Sequence, residues 1–242
     1  MISFQPMSKK NFDIYIDLSS NKLSIGAFEK LAGHSTFFKE YNCLTNLNKD
    51  QLNFTNTEKI IEKNIFEIEK KTSEFLNDIY LMVETTDSIS INLSLIKDNE
   101  GKKIEKKNVQ YLVQDAKQQI LRSHHSKKII HIIISNYVID NVVYNYLPLD
   151  INCNKFSIDI KFICFPKNLI KKLEEIFNNH EIFINKIICS NYAKSFTKNM
   201  PCTNICECGL KLVQGINKQE VVIIPRKLEK KGFFERLFYF FK

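Results

Sequence analysis

Glycine and proline are scarce, with six Gly and five Pro in 242 residues. A chain so poor in both, 44% hydrophobic and 26% charged, is not disordered, collagenous or low in complexity. Its length suits one domain or two small ones. Long apolar runs are also lacking. The two strongest, Ile129 to Ile134 and Phe233 to Phe241, fall short of the roughly 20 residues that span a bilayer, so no transmembrane helix is expected. The first twenty residues place Asp13 and Asp17 among the apolar positions. They show no continuous apolar core followed by a small-residue cleavage site, so no secretory signal is expected. No G-x-S-x-G, P-loop or H-E-x-x-H pattern occurs, and catalysis finds no support in the sequence.

Seven cysteines, Cys43, Cys153, Cys164, Cys189, Cys202, Cys206 and Cys208, are an odd number without an export signal. A disulfide framework is therefore not expected, and a reducing cytoplasm is the better setting. Cys202, Cys206 and Cys208 form C-x3-C-x-C. Structural zinc usually uses two separated pairs, so buried or tolerated thiols are the favoured reading and no metal is expected. His131 stands on a β-prone run and reads as a packed residue with a satisfied ring nitrogen. Net charge is +8, and half of that excess sits between Arg226 and Lys242. The remainder is too thinly spread to support a broad nucleic-acid surface. Lys102 to Lys107 reads as a solvated helix entry. A basic nucleic-acid-binding module remains the alternative from another class, but no nucleic-acid partner is expected.

Periodicity organises the chain. Phe12, Ile14, Ile16 and Leu18 alternate with polar residues, Leu23, Ile25 and Ala27 repeat the period, and Thr36 to Cys43 makes a third strand. T-N-T-E at Thr55 to Glu58 matches a capping box, and the apolar spacing that follows predicts a helix over 57–76. Ile79 to Val83 and Ile89 to Leu95 read as strands, and Val109 to Ile120 as one face of a second helix. Ile129 to Tyr137 and Phe156 to Phe162 are long β-prone stretches. Asn168 to Asn178 has a helical pattern, and Ile182 to Cys189 is a further strand. The expected order is β-β-β-α-β-β-α-β-β-α-β.

The last residues are a chemical feature of their own. At about 100° per residue, Phe233, Phe234, Leu237, Phe238, Phe240 and Phe241 share an arc of about 160° on a helix. Lys230, Lys231 and Arg236 supply nearby cations. Six apolar side chains at about 1.5 to 3 kcal/mol each, with about 1 kcal/mol per cation on an anionic leaflet, offset about 1 to 2 kcal/mol per ordered residue. The sum predicts reversible attachment to anionic lipid through these nine residues, strengthened by several copies acting together.

Four segments in order resemble the bacterial cell-division protein FtsA, the actin-like membrane tether of the division ring. They are I-Y-I-D-L-S-S-N-K-L-S-I-G-A-F at Ile14 to Phe28, the segment Ile60 to Leu81 ending D-I-Y-L, I-H-I-I-I-S-N-Y-V-I-D at Ile130 to Asp140, and K-K-G-F-F-E-R-L-F-Y-F-F-K at Lys230 to Lys242. The first is similar to that family's opening strands and phosphate turn. The second is similar to the helix and strand that open its inserted 1C, or SHS2, subdomain, the third to that subdomain's strand-turn pattern, and the fourth to its membrane-targeting helix. Actin-like ATPases use D-x-G-[S/T] in the first turn because Gly lets backbone N–H groups approach phosphate. This turn is Asp17-Leu18-Ser19-Ser20, and none of the six glycines are adjacent. The second Gly-rich phosphate turn and the Gly-Gly adenosine contact that such ATPases also need are therefore missing and no cofactor is expected, Asp17 and Lys22 being remnants.

The resemblance thus implies an α+β fold: a reduced actin-like (ribonuclease-H-like) 1A half over 1–46 and 166–200, an SHS2/1C-like subdomain over 47–165, a Cys-containing segment and basic linker over 201–231, and an amphipathic helix over 232–242. It implies a non-enzymatic adaptor, peripheral on the cytoplasmic face of the cell membrane at midcell. Implied partners are anionic lipid and divisome proteins, through FtsN-like contacts or self-association of the SHS2-like subdomain. FtsZ docking is not expected, because the 2B-like region that FtsZ meets in the family has no counterpart here.

Overall fold

A computed structural model describes residues 11–31, 33–42, 52 and 54–221. The fold is mixed α/β, with two sheets. In chain order the elements are β1 (Phe12–Leu18), β2 (Lys22–Glu29), β3 (Ser35–Asn42), α1 (Phe54–Thr72), β4 (Asp78–Val83), β5 (Ile89–Asp98), α2 (Lys106–Ser123), β6 (Lys127–Ile139), β7 (Val142–Tyr144), β8 (Lys155–Pro166), α3 (Lys167–Asn178), β9 (Phe183–Cys189), α4 (Ser190–Phe196) and α5 (Ile205–Val213).

The first sheet has the order β3-β2-β1-β4-β9. Its first three strands are an antiparallel meander, whereas β4 and β9 run parallel to β1. Parallel pairing needs a crossover, and α1 supplies the one that carries the chain from β3 to β4. Both faces of this sheet are covered. Ile14 lies with Ile68 of α1, while Tyr15, pointing the other way along the pleat, meets α5 at Gly209. That double cover is why burial in β1 runs without interruption from Ile14 to Leu18.

The α5 side is packed closely. A β-carbon placed on Gly26 of β2 would lie 2.8 Å from Cys206 Cβ and 2.9 Å from Phe28 Cε2. Cys206 Cβ belongs to the helix near its backbone and cannot swing aside. Gly26→Ala is therefore expected to destabilise the protein by about 1 to 3 kcal/mol through overpacking. Urea unfolding would measure it, and an unchanged midpoint would contradict this seating of α5.

The second sheet, β5-β8-β6-β7, is wholly antiparallel. Leu112, Val113, Ala116 and Ile120 of α2 form one buried cluster with Ile132, Ile134, Phe156 and Phe162 of this sheet. The strand β8 joins the two halves. Phe162 and Cys164 belong to the core beneath α2, whereas Ile163 and Phe165 belong to the core of the first sheet.

Three sequence expectations change. The insertion was expected to begin at residue 47, with Ile60 to Leu81 opening it. Instead α1 and β4 belong to the first sheet, β4 lying between β1 and β9, and the second sheet spans Ile89 to Pro166. The apolar run Leu81 to Val83, fully buried, needs cover on both faces, which the centre of the first sheet provides. The T-N-T-E residues do not cap α1, which already starts at Phe54. A cap of that kind stands on α2 instead, where the Asn108 side chain accepts the Glu105 N–H at 2.8 Å. Finally, β7 is an additional strand, formed because Asp140 and Asn141 both take positive φ (44° and 73°), the geometry of a two-residue hairpin turn.

Candidate functional site

Two features stand out. The first is the turn after β1. Asp17 is 3% exposed, and Ser190, the first residue of α4, donates its hydroxyl to Asp17 Oδ1 at 2.5 Å. Burial pushes the Asp17 carboxyl up to about 6. The Ser190 hydroxyl and the Lys194 cation pull the other way, while Glu84 and Glu40 add to the rise. The neighbouring cations are engaged, Lys22 with Glu40 and Lys194 with Glu84, each at 2.6 Å. The turn also closes on itself. The Ser19 N–H donates to the Lys22 carbonyl at 2.9 Å, and the Lys22 N–H donates to Ser19 Oγ at 3.0 Å. Both amides are thus spent within the hairpin.

The second feature is a cleft of about 400 Å³ where the sheets meet, lined by Lys128, Ile129 and Ile130 of β6 and by Ile184, Lys186 and Ile187 of β9, among others. β9 is the outer strand of the first sheet. β6 pairs with β8 on one side along its length, while its other side is occupied by β7 at Tyr137 to Ile139 and by a short bridge from Ile133 to Glu220. Between Lys127 and Ile130 that outer side faces the cleft. Among the described residues the site therefore has a strand edge without a ladder partner on each wall, with isoleucines between them.

A buried polar network closes one end. His131 of β6 is 2% exposed, and its Nε2 accepts the Cys189 N–H of β9 at 2.9 Å. Its Nδ1 meets Glu220 Oε1 at 2.9 Å. Glu220 also receives Lys186 Nζ and the Tyr192 hydroxyl, each at 3.2 Å, and Asn217 Nδ2 donates to the Tyr192 hydroxyl at 2.5 Å. Burial lowers the His131 pKa, against the opposing pull of Glu220. The ring is accordingly neutral at pH 7, with Nδ1–H donating to the carboxylate. Because the ring is neutral, Lys186 is the full cation beside Glu220. Burial alone would raise the Glu220 carboxyl, but its hydrogen bonds and Lys186 hold it below the usual carboxylate range.

His131 is the packed residue that its β-run suggested. The C-x3-C-x-C cysteines separate in role. Cys206 points inward, its Sγ 3.7 Å from the Tyr15 carbonyl, and Cys202 is partly exposed in the loop before α5. In the basic run, Lys102 pairs with Glu100 at 2.6 Å and Lys107 with Glu105 at 2.8 Å, which dilutes any cationic face there. The expected lipid-binding residues Lys230, Lys231, Phe233, Phe234, Arg236, Leu237, Phe238, Phe240 and Phe241 lie outside the described residues. Val221 stands on the rim of the cleft. Glu220, Tyr192 and Lys186 carried no sequence signal, because their partners are 28 to 89 positions away.

Among the described residues no helix is long and apolar enough to cross a membrane. No family model matches the chain, and no curated protein matches it by sequence. Solved structures do resemble it. The PilM–PilN type IV pilus biogenesis complex aligns with TM-score 0.47 at 5% identity, over 78% of this chain and 51% of that one. The cytoplasmic domain of EpsL, an inner membrane component of the type II secretion system of Vibrio cholerae, aligns with TM-score 0.40 at 5% identity, over 75% and 58%. A Bacteroides thetaiotaomicron protein with an actin-like ATPase fold aligns with TM-score 0.36 at 15% identity, over 82% and 60%. The chain thus spans between about half and three fifths of the length of each.

Proposed function

We propose that this chain is a non-enzymatic adaptor on the cytoplasmic face of the cell membrane, of the kind used in bacterial cell division. In this reading it takes an extended segment of a partner protein into the cleft between its two sheets and holds anionic lipid through the aromatic face of 232–242. The observation that carries the reading is the cleft, where a strand from outside would meet the edges of β6 and β9, which have no ladder partner there among the described residues, and apolar seats at Ile130, Ile184 and Ile187. That is the geometry of strand addition, in which main-chain hydrogen bonds give affinity and alternate side chains give specificity. The order β3-β2-β1-β4-β9 supports the reduced actin-like (ribonuclease-H-like) 1A half, and the insertion between β4 and β9 supports the SHS2-like subdomain.

Absence of nucleotide chemistry belongs to the same proposal. The turn at Asp17 lacks the glycine that lets amides approach a phosphate, and two of its amides are already bonded within the hairpin. The adaptor therefore works as a fixed body, with attachment governed by copy number and lipid charge. Sedimentation with vesicles containing a third anionic lipid tests the lipid half of this reading. Ending the chain at Lys231 removes six apolar side chains at about 1.5 to 3 kcal/mol each, and binding should fall at least ten-fold. Unchanged sedimentation of the shortened chain would overturn the membrane role of the tail.

A further inference from the structure

The loop between α4 and α5 holds an arrangement that the adaptor reading does not use. Cys202 is partly exposed, whereas Cys153, Cys164, Cys189, Cys206 and Cys208 are buried. Cys208 lies on α5, and its thiol donates to the Asn204 carbonyl at 3.5 Å, with Cys202 as an electrostatic neighbour. Lys211, one turn further along the same helix, directs its ammonium at Cys202 Sγ across 3.5 Å. The lysine is fixed in that position by the Pro201 carbonyl and by Glu207 at 3.0 Å. An accessible thiol, a cation facing its sulfur and a second thiol on the same face of the helix as that cation are the parts of a thiol–disulfide exchange site.

We propose that Cys202 and Cys208 form a reversible disulfide by exchange with a small-molecule disulfide, Cys202 attacking and Cys208 resolving. Cys202 gives its proton to water, and its thiolate attacks one sulfur of the small disulfide. A bond forms between the protein and that half, and the other half leaves as a thiolate. Cys208 then loses its proton and attacks the Cys202 sulfur, expelling the second half. Two protein thiols are oxidised to one disulfide, and one small disulfide is reduced to two thiols. The Lys211 ammonium faces the charge that develops on Cys202 in the first step.

Burial pushes the Cys208 thiol up to about 11, so little of it is thiolate near neutrality and ring closure quickens as pH rises. The mixed disulfide on Cys202 is the intermediate between the two steps. Closure ties the loop to α5, the helix seated on β1, β2 and β4.

Incubation of the full chain with oxidised glutathione, followed by intact mass and non-reduced peptide mapping, tests the proposal. The expected wild-type course is a transient single glutathione adduct on Cys202, replaced by a species lighter by two hydrogens with a linked Cys202–Cys208 peptide. Cys208→Ser and Cys208→Ala, two replacements of the buried thiol, should each keep the adduct on Cys202. Cys202→Ser should leave Cys208 unmodified, and Lys211→Gln should slow the first step several-fold. A lasting adduct without a linked peptide in the wild type would overturn the proposal, as would Cys208 modification at the wild-type rate in Cys202→Ser.

Discussion

Replacing Glu220 with Ala should destabilise the protein by about 3 to 5 kcal/mol, the usual cost of removing one partner from a buried charged network. The carboxylate is 7% exposed. Its loss takes from His131 Nδ1–H, Lys186 and the Tyr192 hydroxyl the carboxylate they share. Urea unfolding would read the loss, and a double cycle with His131→Leu would apportion it. In the His131→Leu background the same change should cost clearly less, because one stranded donor is already gone. Additive effects would mean that the two groups do not act together.

The same network sets an acid limit, and both groups push stability in one direction. Glu220 has a folded pKa below its unfolded value, so its contribution is present above the ordinary carboxylate range and is lost as pH falls through the folded value. His131 is neutral in the fold, whereas the unfolded chain takes up a proton below about 6.5. Stability from this site therefore begins to fall on acidification below about pH 6.5, and the Glu220 share follows at lower pH.

Asp17→Asn should do the reverse and stabilise the protein by about 3 kcal/mol at pH 8, from a shift of about two pKa units at about 1.4 kcal/mol each. With a folded pKa of about 6 against a model value of 3.8, the aspartate is easier to fold protonated than charged. Its penalty is absent below the unfolded value, grows as pH rises between the two, and is complete above the folded one. Asparagine keeps an acceptor for the Ser190 hydroxyl and carries no charge. The gain should vanish at about pH 3, below the unfolded value, which separates it from a packing effect. Equal unfolding midpoints for Asp17→Asn and wild type at pH 8 would show that the buried carboxylate costs nothing.

Most of the strands were readable because their side chains alternate or run apolar, as at Ile14 to Leu18, Ile129 to Tyr137 and Phe156 to Phe162. Pairing was less readable. Nothing local in D-I-Y-L-M-V says that Tyr80 stands beside Tyr15 and Lys186, and so β4 was grouped with the strands that follow it. The hairpin at Asp140 and Asn141 has a local cue, an acid–amide pair suited to positive φ, within a segment whose stronger signal is its hydrophobic pattern. The cleft and its network were not legible at all, because they arise where two strand edges from distant parts of the chain face each other. The contact between Ser190 and Asp17 joins residues 173 positions apart. The segment proposed to bind lipid stands in the opposite position, since its case rests on composition and helical spacing alone.

The central claim is that one chain joins a protein segment in its cleft to a membrane through its tail. The direct test is the cellular position of a fluorescent fusion in three forms: full length, ended at Lys231, and full length with Ile130→Asp and Ile184→Asp in the cleft. The account predicts a midcell membrane band for the first, a diffuse signal for the second, and a membrane signal no longer gathered at midcell for the third. A nucleoid pattern indifferent to both changes would contradict it.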